Sequence, residues 1–135
     1  MASIFLIEDD PVMLAMLADA LNEAGHVVTT ASNGWEALKD FRPAEHELVI
    51  TDVLMPHVDG ADILRILRRE TPRTPVIAIS GSFGEGDSEG ELLQAMKRLG
   101  ATRVLRKPFS PQQLVATVAA VLARPHPKVD PPAVG

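Results

Sequence analysis

Five short apolar runs, separated by segments with helical spacing, restrict this chain to very few folds. Ile4-Phe5-Leu6-Ile7, Leu48-Val49-Ile50-Thr51 and Val76-Ile77-Ala78-Ile79 are continuous apolar stretches rich in β-branched residues, the pattern of strands buried on both faces. Val27-Val28-Thr29-Thr30 and Thr102-Arg103-Val104-Leu105 read as two further strands. Helical segments fill the intervals. The first has Asp10 as cap, Pro11 at the first helical position, Leu14, Leu17 and Leu21 at helical spacing, and Gly25 as terminator. The second opens on Asn33-Gly34-Trp35-Glu36, a capping box in which Glu36 reaches back, and runs through Leu38 and Phe41. The third spans Ala61 to Glu70, with Ile63, Leu64, Ile66 and Leu67 as its apolar stripe, and Pro72 and Pro75 bracket its exit. The fourth carries Leu92, Leu93, Met96 and Leu99 and ends at Gly100. The fifth opens on the box Ser110-Pro111-Gln112-Gln113 and presents Leu114, Val115, Val118, Val121 and Leu122 on one face.

Strands that alternate with helices imply a parallel sheet covered on both sides. Right-handed crossovers then favour a doubly wound, flavodoxin-like (βα)5 domain with strand order 2-1-3-4-5. The length of 135 residues suits one such domain, expected over residues 1–123. From Arg124 to the end the chain is proline-rich and loses periodicity, so 124–135 is expected to be a disordered tail. The glycine-rich acidic stretch from Gly81 to Gly90 reads as a loop that is mobile in part.

Charge and composition narrow the function classes. The net charge is −5 without any basic block, which argues against direct nucleic-acid binding. Charges interrupt every apolar run, and the first residues lack the basic leader of a signal peptide, so no membrane association is expected. Cysteine is absent, which removes disulfides and Cys-based zinc sites and fits the expected cytoplasmic location.

The polar residues are informative through position. Glu8-Asp9-Asp10 follow the first strand, Asp52 follows the third, Ser80 the fourth, and Lys107 lies just beyond the fifth. In an open parallel sheet the carboxyl ends of the strands share one edge, and ligands bind there beside the point where strand order reverses. Carboxylates gathered at such an edge resist ionising together unless a cation joins them. Magnesium suits the set, since it takes one or two carboxylates plus a phosphoryl oxygen and keeps several waters. A carboxylate can also act as nucleophile towards phosphorus. On this reading Asp52 is the nucleophile, Asp9 is a direct metal ligand, Glu8 ligates directly or through water, and Ser80 and Lys107 hold phosphoryl oxygens.

Other motifs have plainer readings. Asp10 serves as a helix cap. Gly84-Glu85-Gly86 has neither dinucleotide nor P-loop spacing, and its acid would repel phosphate. His26, His46, His57 and His126 lack metal-ligand spacing. Trp35 reads as a packing or surface aromatic.

Across about residues 3 to 123 the chain resembles the receiver domain of bacterial two-component response regulators (CheY-like). The motifs that carry the resemblance are Ile7-Glu8-Asp9-Asp10-Pro11, Asp52-Val53-Leu54-Met55-Pro56 with Asp59-Gly60, Ser80-Gly81 and Lys107-Pro108-Phe109. The stretches around Gly25 and Asn33 also fit. The resemblance implies Asp52 as phosphoacceptor, Mg2+ as cofactor, and the backbone carbonyl of Leu54 as a further metal ligand. It implies a histidine kinase or histidine phosphotransfer protein as phosphoryl donor, and a downstream protein target. It also implies a change in the face formed by the fourth helix, fifth strand and fifth helix, with a dimer through that face left open. Such a domain is not an enzyme in the ordinary sense, since it catalyses only its own phosphorylation and dephosphorylation.

Three departures from the family pattern stand out. Val104 occupies the place of an aromatic switch residue, the 81–90 loop is long, and no output domain follows, as in a stand-alone regulator or a piece of a longer protein. Val104 keeps open a pseudo-receiver that acts as a binding module. The Asp-nucleophile phosphatases are a weaker alternative, because Leu54 stands where they carry a second aspartate.

Overall fold

A computed structural model describes residues 2–42, 45–52, 60–80 and 91–123, with Trp35, Leu38, Ala61, Ser80 and residues 91–93 described for their backbone alone. Leu54, the 81–90 loop and the proline-rich segment 124–135 lie outside the described residues.

Strands and helices alternate along the chain: β1 (Ser3–Ile7), α1 (Pro11–Glu23), β2 (Val27–Ala31), α2 (Gly34–Asp40), β3 (Leu48–Asp52), α3 (Gly60–Glu70), β4 (Val76–Ser80), α4 (Glu91–Arg98), β5 (Arg103–Arg106) and α5 (Pro111–Ala123). The five strands form one sheet in the order β2-β1-β3-β4-β5, and every neighbouring pair is parallel. The expected doubly wound (βα)5 architecture is therefore the observed one.

The continuous apolar runs have the physical cause assigned to them. Successive strand residues point to opposite faces, and here both faces are covered. Phe5 and Ile7 of β1, Val49 of β3 and Val76 and Ala78 of β4 join Ala37 of α2, Ile63, Leu64 and Leu67 of α3 and Met96 of α4 in one core layer. Ile4, Leu6, Leu48, Ile50, Ile77 and Ile79 face the other way, onto Leu17 and Leu21 of α1 and Leu114, Val118 and Val121 of α5. Each such Leu, Ile or Val contributes about 1.5–3 kcal/mol when fully buried, against about 1 kcal/mol for a helix cap. Packing thus fixes where the helices lie, and capping fixes where they begin.

The caps themselves match the sequence with one change. Asp10 Oδ1 accepts the amides of Val12 and Met13 at 3.0 and 3.5 Å. Ser110 and Gln113 form the reciprocal box: the Gln113 amide donates to Ser110 Oγ, and the Ser110 amide donates to Gln113 Oε1. At α2 the Glu36 amide donates to Asn33 Oδ1, but the Glu36 carboxylate reaches one residue further back than expected, to the amide and hydroxyl of Ser32.

Small shifts at element ends also have local causes. Thr102 stands just outside β5 because it meets Val76 with its amide and its own hydroxyl, the latter accepting the Val76 amide. Phe41 turns to extended backbone at the end of α2, where its ring packs beside Phe5. Leu99 falls in the turn after α4, ahead of Gly100 at φ +110°. Val27 is half exposed because β2 is an edge strand of the sheet.

Candidate functional site

The register of the sheet brings the polar residues level. Ile7 pairs with Thr51, Asp52 with Ile79, and Ser80 with Arg106. Glu8 and Lys107 each come one residue after a paired position, so Glu8, Asp52 and Lys107 meet at the carboxyl edge of the central strands. The Lys107–Pro108 peptide bond is cis.

The geometry there is tight. Carboxylate oxygens of Glu8, Asp9 and Asp52 all lie within 4.8 Å of one another. Lys107 Nζ stands 3.1 Å from Asp52 Oδ2 and 3.5 Å from Glu8 Oε1. Glu8 is 0% exposed and Asp52 is buried, whereas Asp9 is half-buried. Glu8 was legible in the sequence as an acid at the right place, but nothing in the sequence marked its complete burial. Its two oxygens differ: Oε2 accepts the Asp10 amide at 3.1 Å, and Oε1 makes no hydrogen bond among the described residues. Asp10 therefore acts twice, capping α1 with its side chain and holding Glu8 with its backbone.

Electrostatics follow from this burial. Removal from water pushes the Glu8 carboxyl up to about 7, and the neighbouring Asp52 charge pushes the same way, against the Asp10 amide and Lys107. For Lys107, burial pulls downward, but the hydrogen bond and charge of Asp52 with the charge of Glu8 outweigh it, and its pKa is raised. Two acids thus share one ammonium, and the Glu8 oxygen without a hydrogen bond is a buried acceptor suited to a cation.

The donor set fits a hard divalent ion, being all oxygen, acidic and open to solvent at Asp9. Of the residues expected at the site, the structure brings together Glu8, Asp9, Asp52 and Lys107. It places the Ser80 backbone at the end of β4, at the same edge, while its side chain is outside the description. The Leu54 carbonyl, expected as a metal ligand, lies outside the described residues.

A feature the sequence reading missed lies deeper in the same layer of the core. His46 is buried and stacks on Phe41 at a centroid distance of 5.5 Å, with Phe5 at 4.9 Å. Spacing alone gave no sign of this, because Phe5 on β1 is remote in the chain from Phe41 and His46, which follow one another closely after α2.

Comparison with known proteins is consistent with this geometry. Residues 4–119 match the response regulator receiver domain family, and the chain belongs to that family. It is 36% identical over 126 residues to the transcriptional regulatory protein CpxR of Escherichia coli (strain K12), covering 93% of this chain and 51% of that protein. It is 32% identical over 121 residues to the alkaline phosphatase synthesis transcriptional regulatory protein PhoP of Bacillus subtilis (strain 168), covering 90% of this chain and 48% of that protein. The chain thus spans about half the length of these curated relatives. Among solved structures, a response regulator receiver domain protein from Clostridium thermocellum superposes with a TM-score of 0.78 at 35% identity, covering 90% of this chain and 94% of that one. The chemotaxis response regulator CheY4 of Vibrio cholerae gives 0.79 at 31% identity, covering 90% and 98%. Among the described residues, no helix is long and apolar enough to cross a membrane.

Proposed function

We propose that this receiver accepts a phosphoryl group on Asp52 from a histidine kinase or a histidine phosphotransfer protein, with Mg2+ held by Glu8, Asp9 and Asp52 and by the Leu54 carbonyl. The observation that carries the reading is the juxtaposition of Lys107 with Asp52 and Glu8 at the edge where Asp9 also converges. The receiver unit spans residues 1–123, with 124–135 as a separate segment.

Each residue has a distinct task. An Asp52 oxygen forms the new bond to phosphorus as the bond from phosphorus to the donor's imidazole nitrogen breaks, and the electron pair of that bond returns to the imidazole. Lys107 and Ser80 contact the phosphoryl oxygens, where charge must be balanced during transfer. When bound, the metal ion supplies positive charge to those same oxygens. Glu8, fixed through Oε2 by the Asp10 amide, keeps a single oxygen for the cation. The protein is not a turnover enzyme on this reading, since the product stays attached to its own side chain.

Phosphorylation would shift the balance between two states of the face made by α4, β5 and α5, for contact with a protein target or a second copy of the chain. Val104 on β5 is half-buried and packs against the core layer that includes Ala101 and Met96. A valine there favours coupling through packing of α4 on β5 over rotation of a ring. It also supports the second reading, a receiver that binds partners independently of phosphate.

The test is incubation with Mg2+ and acetyl phosphate, followed by intact mass. The expected outcome is a gain of one phosphoryl group that disappears in Asp52→Asn. No gain, or an undiminished gain in the variant, would overturn the proposal. Partner capture insensitive to Asp52→Asn would favour the second reading.

A further inference from the structure

The sheet ends in two edge strands of different character, β5 on one side and β2 on the other. β5 begins and ends on arginine, Arg103 and Arg106. Charged side chains on an edge strand discourage another strand from pairing with it, as do proline and bulges. β2 has none of these. Its sequence is Val27-Val28-Thr29-Thr30-Ala31, β-branched in its first four residues and paired with β1 in unbroken register. From Ala24 to Trp35 the chain contains no Asp, Glu, Lys or Arg. Val27 is 54% exposed, and Thr29 and Thr30 are exposed as well.

The phase of the β1–β2 ladder decides which backbone groups face outward. The Val27 amide donates to the Ala2 carbonyl, and the Ala31 carbonyl accepts the Glu8 amide. In a parallel pair, alternate residues direct both of their backbone groups to the same neighbour, so Val27, Thr29 and Ala31 face β1. Val28 and Thr30 therefore turn their amides and carbonyls away from the sheet. Among the described residues, no strand, turn or side chain meets them there. Unpaired groups in a row of this kind form a template for a further strand.

The template is complementary to itself. When β2 meets a second copy antiparallel about a two-fold axis at Thr29, Val28 comes opposite the second copy's Thr30, and the two exchange both backbone hydrogen bonds. Thr29 then faces the second copy's Thr29 as a non-hydrogen-bonded pair. Side chains approach most closely in such pairs, and two threonines associate favourably. The exposed Val27 falls opposite the second copy's Ala31. Charge favours the same occupant: each chain carries −5, which opposes contact between acidic surfaces, whereas this edge brings no like charges together in the paired strands. We propose that β2 is a docking edge for a second copy of this chain, joined by antiparallel β2–β2 pairing centred on Thr29 into one continuous sheet. The edge lies across the sheet from the α4–β5–α5 face, and the pairing uses neither Asp52 nor a metal ion.

The test is sedimentation of the full chain from micromolar to millimolar concentration, without Mg2+ or a phosphodonor, together with amide exchange by NMR. The expected result is a monomer–dimer equilibrium, with exchange at Val28 and Thr30 slowing as concentration rises and exchange at Val27 and Thr29 changing little. Thr29→Lys, checked for folding by circular dichroism, places like charges opposite one another at the axis and weakens self-association by about fivefold, the size of a directly opposed like-charge pair. Thr29→Glu does the same. A mixture of the two variants puts Lys opposite Glu and associates about fivefold or more tighter than either alone. A monomer at every concentration, exchange at Val28 and Thr30 that ignores concentration, a dimer that Thr29→Lys leaves unchanged, or a mixture no tighter than its components would overturn the proposal. The wild-type exchange measurement decides the matter even where a variant does not fold.

Discussion

The Lys107 ammonium lies 3.1 Å from the Asp52 carboxylate, a contact that joins residues 55 positions apart in the chain. The same ammonium is 3.5 Å from Glu8, so one cation serves two buried acids. The relationship is a consequence of strand order: β3 and β5 flank β4, and their ends come level through it.

Removal of this ammonium strands negative charge away from water. Lys107→Met in metal-free protein is expected to lower stability by about 2 kcal/mol. That is less than the ~3–5 kcal/mol lost when one partner of a fully buried ion pair is deleted, because Lys107 is 23% exposed and Glu8 can take up a proton. Urea unfolding measures the change, and added Mg2+ should recover most of it. An unchanged midpoint would show that the contact contributes nothing.

Glu8 gives the metal-free protein a distinctive pH dependence. Its carboxyl is raised from 4.5 to about 7, so between those values the folded state holds a proton that the unfolded chain has released. Stability from this group is therefore highest on the acid side, falls as pH rises through that window, and is level above it. Lys107, whose raised value lies above its ordinary 10.5, changes its contribution only at alkaline pH. Glu8→Gln should flatten the slope, and melting temperatures of the two proteins at about pH 5 and about pH 8 read it directly. Parallel profiles for wild type and variant would contradict the assignment.

Two glycines separate backbone strain from crowding. Gly25 has φ +98° with nothing within 4 Å of an added Cβ, whereas at Gly100, φ +110°, that carbon would stand 2.6 Å from Arg68 Cδ. Gly25→Ala should cost about 1 kcal/mol from the left-handed backbone alone. Gly100→Ala should cost about 2 kcal/mol or more, because Arg68 must also give way while tied to the Pro72 and Thr74 carbonyls. Addition of Arg68→Ala should make the Gly100→Ala penalty fall towards that of Gly25→Ala, a non-additivity measurable by denaturant unfolding. Equal penalties at both glycines would show that the side chain moves freely.

Much of the molecule was written locally. The runs at Ile4, Leu48 and Val76 had to be continuous because helices cover both faces of those strands, and Asp10 and Ser110 announced helix starts through side chains that satisfy the nearby amides. The acids after β1 and at the end of β3 and the lysine after β5 were legible for a related reason, since a parallel sheet must align the ends of its strands. Sequence by itself therefore determined the class of fold, the phasing of each element and which polar residues share an edge. It marked Asp10 as a helix cap but gave no sign of how deeply Glu8 and Asp9 are covered. Only the position of β1 between β2 and β3 buried the first and half-covered the second. Nor did it foresee that Phe5, Phe41 and His46 would pack together, or that one ammonium would answer two carboxylates. Those properties depend on distances between segments remote in the chain. Such distances are set by how helices pack on the sheet, and no local pattern of residues encodes them.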